Sequence, residues 1–133
     1  MRNSNFLPDA KSWLEFARYD WKTAEWEFKG KIYTSSCYAC QQTAEKALKA
    51  LLLAKGETVP KVHSLDRLIS ELKKIKVDVS EIEEEARSLD KYYISCRYPG
   101  QYGGPEGLYN IDDAKNSLIF ATKILKFVRQ QIP

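Results

Sequence analysis

Arg97 begins the only long irregular segment of this sequence, residues 97–110, which reads RYPGQYGGPEGLYN. Pro99 and Pro105 exclude a regular helix here, and such a segment in a compact domain usually serves a function. A guanidinium group binds phosphate through two parallel hydrogen bonds and stabilises negative charge on it. We therefore predict that Arg97 contacts an anionic ligand. The alternative is a structural ion pair with an acidic residue or with the carboxyl end of a helix.

A second group of polar residues, Gln42, Lys46 and Lys49, follows helical spacing and shares one face of a predicted helix. Residues 30–79 around it are basic, with nine lysines and arginines against five acidic residues. Amine groups on such a face can bind phosphate. Because exposed lysines are the normal case in proteins, solvation of this face is the simpler interpretation and phosphate binding is the alternative.

Cys37 and Cys40 form a CxxC pair, which in other contexts is a redox centre or half of a zinc site. Cys96 and His63, the only histidine, would have to complete a metal site. The pair lies inside a predicted helix on a face with alanine and leucine, and no βαβ pattern precedes it. We therefore interpret both cysteines as small side chains in a helix interface, and predict neither a metal nor a cofactor.

The composition is that of one globular domain. The 133 residues are 44% hydrophobic and 29% charged, with a formal net charge of only +3, so the totals give no strong polyanion-binding signal. An odd number of cysteines gives no disulfide framework. The first 13 residues lack the apolar core of a secretory signal, and no apolar run is long enough to cross a bilayer. These features predict a cytoplasmic protein without a membrane segment.

Five segments carry apolar residues at helical spacing. They are residues 10–28, 33–55, 64–74, 81–94 and 111–130. Four are longer and one is short, no strand pattern separates them, and the connections are short except for residues 97–110. This arrangement predicts an all-α fold, an antiparallel helical bundle that forms a single domain over residues 1–133 with its core at about residues 10–130.

Capping signals and apolar positions define the predicted helix ends and faces. The caps are Ser12 with Glu15, Ser64, Ser80 with Glu83, and the stop signal Gly56. The inward stripe of the first helix is Trp13, Phe16, Ala17, Trp21, Ala24 and Phe28, and the fourth segment is expected to bury Ile82, Ala86, Leu89 and Tyr93. Tyr19 and Trp26 fall off the first stripe. We predict that they meet a second subunit, which favours a homodimer.

Three motifs occur in a distinctive order along the chain. The second segment reads SSCYACQQTAEKALKALLLAKG, a turn then leads into His63-Ser-Leu, and a tyrosine-rich stretch opens into Cys96-Arg97-Tyr98-Pro99. In this order and spacing they resemble the HEPN family of small helical proteins. The resemblance runs from about Trp13 to Val128, which is nearly the whole chain.

This resemblance implies a helical bundle that commonly dimerises and is often encoded beside a minimal nucleotidyltransferase. Members of the family are linked to nucleotide binding, and many are metal-independent ribonucleases of toxin–antitoxin systems. In the ribonucleases an arginine is followed, after four to six residues, by a histidine. Arg97 matches the arginine, whereas Tyr102 stands about where the histidine would be. Tyrosine, which ionises near pH 10, is a poor base at pH 7, while histidine suits proton transfer.

The sequence thus leaves three functional hypotheses. The leading one is a homodimeric module that binds a nucleotide or RNA phosphate through Arg97 and Tyr98, with Gln42, Lys46 and Lys49 as further candidates, beside a partner nucleotidyltransferase. The second is a metal-independent ribonuclease in which Arg97 acts with Tyr102 or with His63. His63 would have to reach the Arg97 loop by folding, and its simpler role is to cap or orient the third helix. The third hypothesis is a structural dimer without a ligand.

Overall fold

The computed structural model describes residues 6–100 and 103–133, apart from the side chain of Phe6. Six helical segments follow one another along the chain. They are α1 (Phe6–Lys29), α2 (Tyr33–Ala54), α3 (Leu65–Lys74), α4 (Glu83–Leu89), α5 (Tyr92–Ser95) and α6 (Ile111–Gln131). Outside these helices, the described ranges contain one isolated bridge, between Gly100 and Gly103. The predicted all-α bundle is confirmed.

α2 is the central helix, because it packs against each of the other five. α1 and α2 are joined by a three-residue turn and run antiparallel, so that small residues face each other along their seam, including Ala17, Ala24, Ala44 and Ala47, all fully buried. The approach is close enough for the Ser36 hydroxyl to donate to the Ala24 carbonyl oxygen at 2.8 Å. Small side chains at helical spacing therefore set the distance between the two longest helices.

α1 begins earlier than predicted, so its predicted capping box does not form. One residue of its predicted inward stripe is also exposed. Because the helix starts at Phe6, Ser12 and Glu15 lie in its interior and form no capping box. Phe16, predicted to point inward, is 60% exposed. Tyr19 and Trp26 are 68% and 78% exposed, as expected for residues off the apolar stripe. Three aromatic side chains of α1 therefore face outward.

The fourth predicted segment forms two short helices, because a turn at Asp90 and Lys91 interrupts the helix. The Asp90 carboxylate accepts hydrogen bonds from the backbone N–H groups of Leu65, at 2.7 Å, and Asp66, at 3.3 Å, and so caps α3 from outside. The break also changes the register, so that Tyr92 is buried and Tyr93 is only partly buried, contrary to the prediction.

Of the other three predicted helix ends, two are confirmed and one is wrong. Ser64 caps α3 by accepting from the Arg67 backbone N–H, and Gly56 follows α2 with a φ of 85° that favours glycine. Ser80 does not cap α4, which starts after Ile82; the Ser80 backbone N–H instead donates to Asp78 in the preceding turn.

The capping box of α6 was missed by sequence reasoning. The Asn110 side chain accepts from the Asp113 backbone N–H, and the Asp113 carboxylate accepts from the Asn110 backbone N–H. This reciprocal pair ends the irregular segment. Across residues 6–100 and 103–133, no helix combines the length and the apolar character that a bilayer crossing requires.

Candidate functional site

Arg97 lies immediately after α5, one helical turn beyond Tyr93. The central guanidinium carbon is 5.1 Å from the ring centre of Tyr93, 5.6 Å from that of Tyr38 and 5.3 Å from that of Tyr98. Tyr38 comes from α2, so two parts of the chain build this aromatic surround. Each ring faces the cation within the distance of a cation–π contact. The arginine is therefore held at the surface by aromatic rings.

The predicted alternative role for Arg97, an ion pair, is not observed. Within residues 6–100 and 103–133, no carboxylate lies within salt-bridge distance of Arg97. A hydrogen bond from Arg97 to the Tyr93 side chain and the proximity of Tyr38 raise the pKa of the guanidinium above its ordinary value. The group is exposed and cationic. The donors that do not bind Tyr93 are available for an anion.

His63, which lies in the connection between α2 and α3, contacts the same tyrosine. Its ring stacks on the ring of Tyr93 with centroids 4.2 Å apart and an interplanar angle of 12°. Folding therefore brings His63 and Arg97, which are far apart in sequence, into contact with one side chain. His63 was predicted to cap or orient the third helix, and the capping half of this prediction is wrong, because Ser64 and Asp90 cap α3.

Glu45 of α2 orients the histidine. The Nδ1 atom of His63 is 3.2 Å from both carboxylate oxygens of Glu45. The same carboxylate accepts from Lys49 Nζ at 3.0 Å and from Gln41 Nε2 at 3.3 Å. A second bond, from Gln41 Nε2 to the His63 carbonyl oxygen at 3.1 Å, fixes the backbone of the same residue. We call Gln41, Glu45, Lys49 and His63 the Glu45 cluster.

The predicted solvation of the Gln42, Lys46 and Lys49 face is wrong for Lys49. This residue is only 5% exposed, since Glu45 binds its amine and the ring of Trp13 lies 5.7 Å from it. Lys46 pairs with Asp20 at 2.6 Å, and Gln42 donates to Gln41 at 2.7 Å. Of the three predicted ligands, Lys49 is thus a buried structural cation, and the other two have protein partners of their own.

The remaining candidates are on or near the irregular segment. Tyr98 is 55% exposed beside Arg97, whereas Tyr102 lies outside the described residues. Tyr38, Tyr93 and Glu45 were not predicted as site residues. The four-residue spacings of Tyr93 with Arg97, and of Gln41 with Glu45 and Lys49, were the available signals.

Of the three cysteines, two lie in the interior and Cys96 is partly buried against the core. Cys37 and Cys40 are fully buried, and the Ser117 hydroxyl lies 3.6 Å from the Cys37 sulfur. Burial raises the pKa of the Cys37 and Cys40 thiols, and raises that of Cys96 to about 12. In the described ranges, no group of three or more cysteine, histidine and carboxylate residues has the proximity that a metal ion needs.

These thiols are expected to be unreactive in the folded protein. Because the thiolate is the nucleophile and burial keeps all three groups protonated at pH 8, a chromogenic disulfide reagent should label none of them in the native state. All three should react within the mixing time once the protein is unfolded in guanidinium. Rapid labelling of one native thiol would contradict the interior placement of that cysteine.

Comparison with known proteins decides the family. A sequence profile of the HEPN domain matches residues 10–131. The chain belongs to the HEPN family. The crystal structure of TT1696 from Thermus thermophilus is 38% identical, with a TM-score of 0.84 over 92% of this chain and 97% of that one. That of ST0689, an archaeal HEPN homologue, is 32% identical with a TM-score of 0.78, over 93% of this chain and 98% of that one.

One further relative has a name that describes a function. A protein of Methanocaldococcus jannaschii that bears the name "Putative toxin MJ1304" is 28% identical over 141 residues, which cover 97% of this chain and 92% of that protein. The family resemblance predicted from the three sequence motifs is therefore confirmed. The motifs map onto α2, the connection to α3, and the end of α5, and each of them contributes to the surface around Tyr93.

Proposed function

We propose that this HEPN protein binds RNA or a nucleotide through a phosphate group at Arg97. The observation that carries the proposal is the exposed guanidinium, which has three tyrosine rings around it and no carboxylate partner in the described ranges. An arginine kept for structure normally has an acidic partner, whereas an arginine among aromatic rings can bind phosphate while the rings stack on bases.

The biological setting that we propose is a toxin–antitoxin-like pair with a minimal nucleotidyltransferase. It is supported by family membership and by the relative that is named as a toxin. The protein acts as a homodimer, and the outward aromatic residues of α1, Phe16, Tyr19 and Trp26, supply the apolar area that an interface needs. Co-purification with a small nucleotidyltransferase encoded next to the gene tests the pair.

A second candidate function, metal-independent RNA cleavage, is favoured by the contact of His63 with Tyr93 beside Arg97. The Nε2 atom of His63 would take the proton of a ribose 2′-hydroxyl, and the 2′-oxygen would form a bond to phosphorus. The bond to the 5′-oxygen then breaks, and this oxygen takes a proton from water. Arg97 would stabilise the charge on phosphorus-bound oxygens. The products are a cyclic phosphate and a 5′-hydroxyl end.

Arg97→Ala is expected to weaken binding of a fluorescently labelled single-stranded RNA by about tenfold to a hundredfold, because charge-assisted hydrogen bonds contribute about 1.5–3 kcal/mol. Fluorescence anisotropy at fixed salt measures the affinity. Arg129→Ala is the matched control, since Arg129 is an exposed arginine in the last turn of α6. Equal affinities of the two variants would refute the phosphate site.

A cleavage assay with total tRNA and EDTA separates the two candidate functions. It compares the wild type with Arg97→Ala and His63→Ala. Cleavage by the wild type that is lost in both Arg97→Ala and His63→Ala supports the ribonuclease. Binding without cleavage supports the binding module alone. If the wild type neither binds nor cleaves RNA or nucleotide, both proposals fail and the structural dimer remains.

A further inference from the structure

The Glu45 cluster is an unusual feature for the interior of a helix bundle. Gln41, Glu45 and Lys49 occupy successive turns of α2 and are 0%, 4% and 5% exposed. Removing two charges and an amide from water is costly, and a well-packed apolar triad would fill the same volume at lower cost. Two of its members, Gln41 and Glu45, make direct hydrogen bonds to one surface residue, His63.

Glu45 forms an ion pair with Lys49. A carboxylate in an ion pair carries no hydrogen and can only accept hydrogen bonds. His63 Nδ1, placed 3.2 Å from both oxygens, must therefore carry a hydrogen to make this contact. The hydrogen bond of one ring nitrogen sets the state of the other. In the neutral ring, Nε2 is then an acceptor without a hydrogen, which is the less common tautomer of an imidazole in water.

This acceptor is at the surface. The His63 side chain is 53% exposed, and an open cavity of about 310 Å³ is lined by His63, Ser64, Asp90, Lys91, Tyr93 and Ile94. Stacking on Tyr93 fixes the plane of the ring, and Tyr93 also contacts Arg97. Nε2 of His63 is therefore a hydrogen-bond acceptor of fixed direction. The imidazole that carries it and the guanidinium of Arg97 both contact the ring of Tyr93.

We infer that Glu45 is a positioning residue, which holds His63 as an acceptor for the 2′-hydroxyl of a ribonucleotide whose phosphate binds Arg97. This inference rests on the proposed phosphate site. Among nucleic acids, only RNA presents that hydroxyl donor, and its presence is how a protein distinguishes RNA from DNA at one position. The Glu45 cluster thus gives the site its selectivity for ribose, and Arg97 gives it affinity for phosphate.

The tautomer of His63 is measurable without any ligand, because it is the only histidine of the chain. Protein labelled with ¹⁵N-histidine, studied by long-range ¹H–¹⁵N correlation at about pH 9, where an ordinary imidazole is neutral, should show a protonated Nδ1 and a bare Nε2. The double variant E45M/K49M removes the carboxylate and its counter-charge together and should shift the ring to the Nε2–H form. The matched control is E85M/K123M, which removes a Glu–Lys pair on the surface between α4 and α6.

Ligand selectivity is measured with a short oligouridylate and the deoxyuridine oligonucleotide of the same length. The wild type and the E85M/K123M control should bind the RNA roughly threefold to tenfold more tightly, the effect of one hydrogen bond. E45M/K49M and His63→Phe, which preserves the stacked ring, should bind both probes equally. Arg97→Ala should bind both more weakly and keep the preference.

The outcomes separate this inference from the proposed function. An Nε2–H tautomer in the wild type, or an unchanged preference for RNA in E45M/K49M, would overturn the role of Glu45 while leaving the phosphate site intact. Failure of the wild type to bind either probe would overturn the phosphate site, and with it the selectivity.

Discussion

Glu45→Met is expected to destabilise the protein by about 3–5 kcal/mol, since it leaves the amine of Lys49 buried without a counter-charge. Lys49 is 5% exposed, and Glu45 is its carboxylate partner in the described ranges, at 3.0 Å. The ring of Trp13 also covers the amine, so water does not replace the lost partner. Urea unfolding followed by circular dichroism measures the change in the free energy of unfolding.

The double variant E45M/K49M is expected to recover most of this loss, because two methionines fill a similar volume and no charge is left unpaired. The matched single variant at the surface is Glu85→Met, which leaves Lys123 half exposed to water and should change stability by less than about 1 kcal/mol. Equal stability of Glu45→Met and E45M/K49M would show that the ion pair is not buried as described. The comparison also separates the cost of burying these charges from their role at His63.

Leu48→Ala is expected to cost about 2–5 kcal/mol, because it opens a cavity at the centre of α2. Leu48 is fully buried in the cluster that the three long helices share, and its side chain has no polar atom with which to bind a ligand. Urea unfolding gives the stability, and RNA binding below the unfolding transition should be unchanged. Ile119→Ala is the control of similar size, since Ile119 is 55% exposed on α6 and should cost about 0.5 kcal/mol or less.

A loss of RNA affinity in folded Leu48→Ala that matched the loss in Arg97→Ala would show that the site depends on core packing in general. Such a result would weaken the assignment of affinity to Arg97. The expected pattern is the opposite one, with stability lost in Leu48→Ala and affinity lost in Arg97→Ala.

The sequence was sufficient to predict the three long helices and the family, because both depend on local patterns. Apolar periodicity located α2 and α6 to within a residue or so at each end. It failed at Phe16, which follows the apolar spacing of α1 but is 60% exposed. It also failed at Asp90, whose carboxylate caps a helix that lies 25 residues earlier in the chain. Contacts of that separation leave no periodic signal.

The candidate site was predicted in part. Arg97 was found from its loop and from the family motif, and His63 was named, but nothing local placed it next to Arg97. Glu45 was missed because a glutamate inside a lysine-rich helix is typical of a solvated face. Its role depends on His63, which comes from the connection between α2 and α3. Side chains that act through buried partners are therefore the part that a single sequence predicts least well.

The four-residue interval between Tyr93 and Arg97 has an evolutionary consequence. The backbone hydrogen bonds of Arg97 and Tyr98 to the Ile94 carbonyl oxygen, at 3.1 and 3.2 Å, continue the helical path of α5 as far as the site. Inserting or deleting one residue there would rotate Arg97 by about 100° around that path, away from His63. Relatives that use this surface should therefore keep the interval from Tyr93 to Arg97 constant in length, and length changes within it should mark members that have abandoned the surface.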